Sequence, residues 1–156
     1  MSTDSSFQSA AVILLREAFE GVASGQNYTW FVQGKEGMLN ALESVDATRA
    51  SRKPSPDCAS IAAHSYHILY TLRGANEAQG RPRPEGSWED TWKVQTVTDE
   101  EWNELRAVIR SEYEVFIAWF ESNQDWSVDE AAIGSLASLP HLSFHLGAIR
   151  QILKVV

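Results

Sequence analysis

Apolar residues recur at three- and four-residue spacing along four long stretches of this chain, and no stretch alternates as a half-buried strand would. That period makes each stretch a helix with one face that must be covered. The first runs over residues 5–24, where Phe7, Ala11, Leu14, Leu15, Ala18, Phe19 and Val22 form one stripe and Gly25 supplies a stop. The second runs from about Asp57 to Ala78, with Ile61, Ile68, Leu69 and Leu72 on its apolar side. The third starts at "TDEE", a capping box in which Thr98 caps the helix and Glu101 reaches back, and continues through Trp102, Leu105, Val108, Ile109, Phe116, Ile117 and Phe120. The fourth opens on a second capping box, Ser127 to Glu130, and extends to about Lys154. Pro140 inside it removes one backbone hydrogen bond and predicts a kink just before His141. A shorter helix is expected in "MLNALESVDATRA".

Four such stripes with no sheet to cover them make an all-α fold, most economically a four-helix bundle. Residues 79–97 contain "QGRPRPEGS", which cannot be regular structure, followed by Trp88 and Trp92. At about 3.3 Å per extended residue, this segment is long enough to traverse the bundle, which predicts a long crossover connection between helices 2 and 3. The length, 156 residues, fits one domain over 1–156. A net charge of −8 repels phosphate backbones and argues against nucleic-acid binding. The single cysteine, Cys58, excludes an internal disulfide framework and fits a reducing compartment. The early apolar run "AAVILL" is too short for a signal segment or a membrane span, so a soluble cytoplasmic protein with no membrane partner is expected.

All four histidines fall in two of the helical stretches. His141 and His145 stand at i and i+4 and so point the same way, and Ile149 and Ile152 continue that face toward the interior. His64 and His67 lie at i and i+3 on the second helix, and either can supply a third nitrogen. Three neutral imidazoles leave one coordination position open, as in catalytic zinc sites. The bland alternative is a set of buried histidines satisfied by hydrogen bonds. Leu142 stands where a zincin carries its glutamate, so the motif brings no general base of that kind.

With "SIAAHSYHI" on the second helix, the "SWEDTW" connection and "HLSFHLGAIRQI" near the C-terminus, nearly the whole chain resembles the DinB/YfiT-like superfamily. That resemblance implies a four-helix bundle binding a divalent metal through one histidine of the second helix and two of the fourth. It also implies kinship with bacillithiol transferases and mycothiol-dependent isomerases. His141 and His145 match the family's pair and His67 best matches the helix-two ligand. The apolar arc places His64 nearer the middle of the stripe and His67 at its edge, where a ligand facing an open cleft belongs; His64 is then a neighbour or the alternative ligand. The expected ion is zinc or nickel. The expected reaction is activation of water or a low-molecular-weight thiol toward a small-molecule substrate, giving hydrolysis or S-transfer. The competing reading is a non-catalytic, stress-related binding protein whose metal is structural or vestigial.

The remaining candidates have bland readings that weigh more. Cys58, near the start of the second helix, reads as a small buried residue rather than an activated thiol. Glu20 reads as solvated, and Asp129 and Glu130 as helix N-terminal charge, rather than proton shuttles. Trp30, Trp88, Trp92 and Trp102 line an aromatic cleft or pack loops onto the helices. Gly147 allows close helix approach, and Arg150 pairs with an acidic side chain or binds an anionic group. The aromatic loop at 86–94 is a candidate homodimer interface.

Overall fold

The computed structural model describes residues 3–32, 36–123 and 129–156. These residues are all-helical, with no strand among them. The helices are α1 (Thr3–Glu20), α2 (Met38–Glu43), α3 (Ala47–Ala50), α4 (Ile61–Ala75), α5 (Asp99–Ser122) and α6 (Asp129–Ile152), with short 3₁₀ turns at Glu77–Gln79 and Glu89–Lys93.

Local chemistry explains most of the boundaries. Both bonds of the capping box form at α5, with Thr98 Oγ1 accepting from the Glu101 N–H and the Glu101 carboxylate accepting from the Thr98 N–H. The capping box at Ser127 to Glu130 and the side chains of Asp129 and Glu130 lie outside the described residues. Helix α1 ends at Glu20 rather than near Gly25, because Gly21 adopts φ 87° and its N–H closes on Glu17 O. Helix α4 starts at Ile61 rather than Asp57, where Ser60 caps it by accepting from the Ala63 N–H. It ends at Ala75, short of Ala78. The expected helix in "MLNALESVDATRA" is two, because Asp46 starts a new one by accepting from the Arg49 N–H. Helix α6 continues through the exposed Pro140 without interruption.

Each long helix packs mainly against two others: α1 on α5 and α6, α4 on α5 and α6. Their apolar faces meet in one core around Phe19, Ile68, Ile109, Phe116 and Ile149, all fully buried. The connection after α4 returns along that helix. Tyr70 Oη donates to Gly86 O at 3.4 Å, and Ser60 bonds Gln95 at both its N–H (2.9 Å) and its hydroxyl (2.7 Å).

Two buried carboxylates fasten the helices and loops. Glu112 on α5, 1% exposed, accepts from Arg73 Nε at 3.1 Å and Asn76 Nδ2 at 3.0 Å. Glu17 on α1 accepts from the N–H groups of Trp30, Phe31 and Val32 at 2.8–3.0 Å. Burial pushes its carboxyl pKa up, but the backbone donors outweigh that and hold it below the ordinary value. Removing one member of a buried, hydrogen-bonded charge group is far costlier than removing a surface cap. In urea unfolding, Glu112→Ala is expected to lose about 3–5 kcal/mol and Thr98→Ala about 1 kcal/mol; equal losses would contradict this assignment of the two contacts.

Candidate metal centre

The antiparallel packing of α4 and α6 brings the four histidines together. His64 faces His145, and His67 faces His141. His67, His141 and His145 each offer a ring nitrogen within 4.8 Å of the other two, close enough to hold one metal ion. His141 Nε2 stands 3.2 Å from His67 Nε2 and 3.0 Å from His145 Nε2. Imidazole nitrogens bound at about 2.0–2.1 Å around a tetrahedral ion stand about 3.3 Å apart, so these spacings fit a divalent ion after a few tenths of an ångström of adjustment. His64 lies outside this trio, its Nδ1 at 2.8 Å from His145 Nδ1.

The outer ring nitrogens determine which inner ones have a free lone pair. Thr91 Oγ1 donates its only proton to Trp88 O at 2.6 Å, so at its 2.7 Å contact with His67 Nδ1 it accepts. His67 is therefore protonated at Nδ1 and unprotonated at Nε2, the atom that faces the centre. With His145 Nε2 facing the centre, its Nδ1–H donates to His64 Nδ1, which leaves the His64 proton on Nε2. His141 Nε2–H is then the one proton shared among the three inner nitrogens. For His141 to act as a ligand through Nε2 that proton would have to sit on Nδ1 instead, and His141 is the half-buried member of the trio.

Burial and mutual repulsion keep the rings neutral. His67 and His145 are each 1% exposed. Trp92 stacks on His67 with centroids 4.4 Å apart, and Trp88 meets the same ring edge-on at 4.2 Å. Desolvation pushes His64 to about 4, His67 to about 4 and His145 to about 3, and lowers His141, with mutual repulsion adding to the effect at His67 and His145. Neutral imidazole is the form that ligates metal.

The structure also shows where other expected residues fall. His67 joins the trio, yet it is more buried than His64 (1% against 8%), so its place at the edge of a stripe was the wrong reason to prefer it. The turn at Glu89–Lys93 covers that edge and encloses the ring. Trp88 and Trp92 sit over the histidines, whereas Trp102 is buried and donates from Nε1 to Val45 O at 2.7 Å, and Trp30 is exposed. Cys58 is exposed and precedes the capped start of α4, so it is neither buried nor on the helix. A Cβ on Gly147 would meet nothing within 4 Å, so no close helix approach depends on that glycine. Among the described residues Arg150 makes no ion pair and lines an open groove with Phe31 and Lys154. Glu20 is exposed and accepts from Arg16 and Tyr113.

Thr91 was not singled out by the sequence reading. Its signal was its place between Trp88 and Trp92, whose rings cover the site. The chain matches no protein-family model, no curated protein and no solved structure.

For the metal-free protein the pH dependence has a definite sign. Below about 6.5 the unfolded chain takes up histidine protons that the folded chain refuses. Stability is therefore full above that pH and falls as pH drops toward about 4, by on the order of a few kcal/mol for each buried ring. Denaturant midpoints between pH 7.5 and 4.5 test this: they should fall, and fall less steeply in His145→Ala. A flat wild-type profile would contradict buried neutral imidazoles.

Proposed function

We propose that this chain is a metal-dependent enzyme in which His67, His141 and His145 hold one divalent ion, zinc or nickel. The observation that carries this reading is the convergence of three inner ring nitrogens at 3.0–3.2 Å, with the outer nitrogens of two rings held by Thr91 and His64. Rings whose outer nitrogens are held in this way have fixed tautomers and orientations, which raises their value as ligands. The ion so held supplies Lewis acidity, lowering the pKa of a water or a low-molecular-weight thiol at the position the protein leaves open. Hydrolysis or S-transfer on a small molecule is the resulting reaction class.

The chain's own residues have distinct parts in this scheme. His67 and His145 hold their protons on the outer nitrogens and present lone pairs inward. Trp88 and Trp92 cover the rings and exclude water from that side. Membership of the DinB/YfiT-like superfamily is part of the proposal, as is its architecture: a single four-helix bundle with a long crossover connection. The bonds from Ser60 to Gln95 and from Arg73 to Glu112 support that architecture, since they set the starts and the later turns of α4 and α5 side by side. A cytoplasmic location, argued from the single cysteine, is part of the proposal, and no described helix is long and apolar enough to cross a membrane. Self-association into a homodimer through the loop at 86–94 is the proposed assembly.

One observation favours the second reading, a non-catalytic protein with a structural metal. No carboxylate joins the three histidines among the described residues, so no general base stands in the first ring of side chains.

Elemental analysis of reconstituted protein tests the metal. One equivalent is expected in the wild type, with loss in His141→Ala and His145→Ala; less than a tenth of an equivalent in the wild type would sink the reading. Thr91→Ala leaves His67 Nδ1–H without its acceptor and should weaken metal affinity by about 10–100-fold. Competition against a chromogenic chelator reads this directly, and unchanged affinity would remove Thr91 from the site. With metal bound, turnover in a panel of thiol-transfer and hydrolase substrates separates enzyme from binder.

A further inference from the structure

A cleft of about 530 Å³ lies between α4 and α6, bordered by His141, Trp88 and Arg83. Tyr70 and Gly74 follow His67 at intervals of three and seven residues along α4, while Ser138 and Gly134 precede His141 at the same intervals along α6. The cleft therefore extends from His141, the member of the trio that borders it, in one direction for about 10 Å, the rise of seven helical residues. Small side chains on both facing helices keep it open.

Its charge is distinctive. In a chain of net charge −8, no carboxylate is among the described residues lining the cleft, and Arg83 carries the one permanent charge among them. The guanidinium rests on bare backbone: a Cβ on Gly74 would stand 2.6 Å from Arg83 Nε and 2.7 Å from Nη2. It also lies over the Tyr70 ring at 5.5 Å. Its ion-pair partner, Glu77, is 3.7 Å away, and both side chains are about half exposed. Such a surface pair is worth at most about 1 kcal/mol and exchanges readily for another carboxylate. The guanidinium fork suits bidentate carboxylate recognition.

We propose that the cleft binds an elongated small molecule bearing a terminal carboxylate, which Arg83 recognises, and presents the molecule's other end to the three histidines about 10 Å away. Arg83 is thus a specificity-determining residue, and the distance between it and the trio sets the length of ligand accepted. This inference rests on the metal reading above for the chemistry at the histidine end only.

The test uses full-length protein reconstituted with zinc and calorimetric titration with ω-mercaptoalkanoates, compared with ω-mercaptoalkanamides of equal length. The carboxylates should bind about tenfold tighter than the amides, since a hydrogen bond to a charged group is the stronger one. The preference should peak at the chain length that, together with the contacts at its two ends, spans about 10 Å, and fall off for shorter and longer chains. Arg83→Gln should abolish the preference while leaving amide affinity and zinc stoichiometry intact. Gly74→Ala, which pushes the guanidinium off its seat, should reduce it with Arg83 still present. Zinc uptake with equal affinities for carboxylate and amide, or a preference surviving Arg83→Gln, overturns this inference alone. Failure to take up zinc overturns the metal reading instead; plain alkanoates against alkanamides of the same lengths then decide the cleft's preference independently.

Discussion

Three imidazoles can share one point inside a protein only if they stay neutral there, since protonated rings at this spacing repel and lose their hydration. Each ring also carries a second nitrogen that must be satisfied or reach water. The site meets both demands by pairing outward. His67 Nδ1–H goes to Thr91, His145 Nδ1–H goes to His64, and His141 sits at the half-exposed edge. The inward lone pairs of His67 and His145 therefore depend on a contact on the far side of each ring. That is why His64, which lies outside the trio, is buried beside the other three.

The rest of the fold holds those outward partners in place. Thr91 is useful only because the segment carrying it runs back along α4, fastened by Tyr70 at one end and Ser60 at the other. Helices α4 and α5 are locked further along by Glu112, whose carboxylate is held between Arg73 and Asn76. At the opposite side of the core, Glu17 gathers the backbone of residues 30–32 onto α1. Both carboxylates are buried and hydrogen-bonded, and both tie a loop or a neighbouring helix to the long helices. The scaffold is thus stiff around the two histidine-bearing helices while a cleft beside them stays open.

Much of this was legible before any coordinates. The helical period and the Thr98–Glu101 capping box located α5 to within a residue at its start, because capping is a local interaction between side chain and backbone. The i, i+4 spacing of His141 and His145 predicted their common direction for the same reason. Long-range facts were not legible. The choice of His67 over His64 rests on the family match and on an edge position in the apolar stripe, and the Glu89–Lys93 turn covers that edge. Cys58 reads in sequence as a small buried residue, since no basic partner for a reactive thiol is visible; the Ser60 cap leaves it outside the helix and exposed. Glu17 and Glu112 look like ordinary surface charges in sequence, since nothing local reveals backbone donors or an arginine arriving from another segment.

The central claim is that three histidine nitrogens of this chain coordinate one ion. X-ray absorption at the metal edge of protein reconstituted with a single equivalent of zinc measures that directly. The account predicts three imidazole nitrogens at about 2.0–2.1 Å, with the outer-shell scattering of rigid rings and one further light ligand. A spectrum of oxygen ligands without imidazole scattering, or one unchanged when His67, His141 and His145 are replaced together, would contradict it.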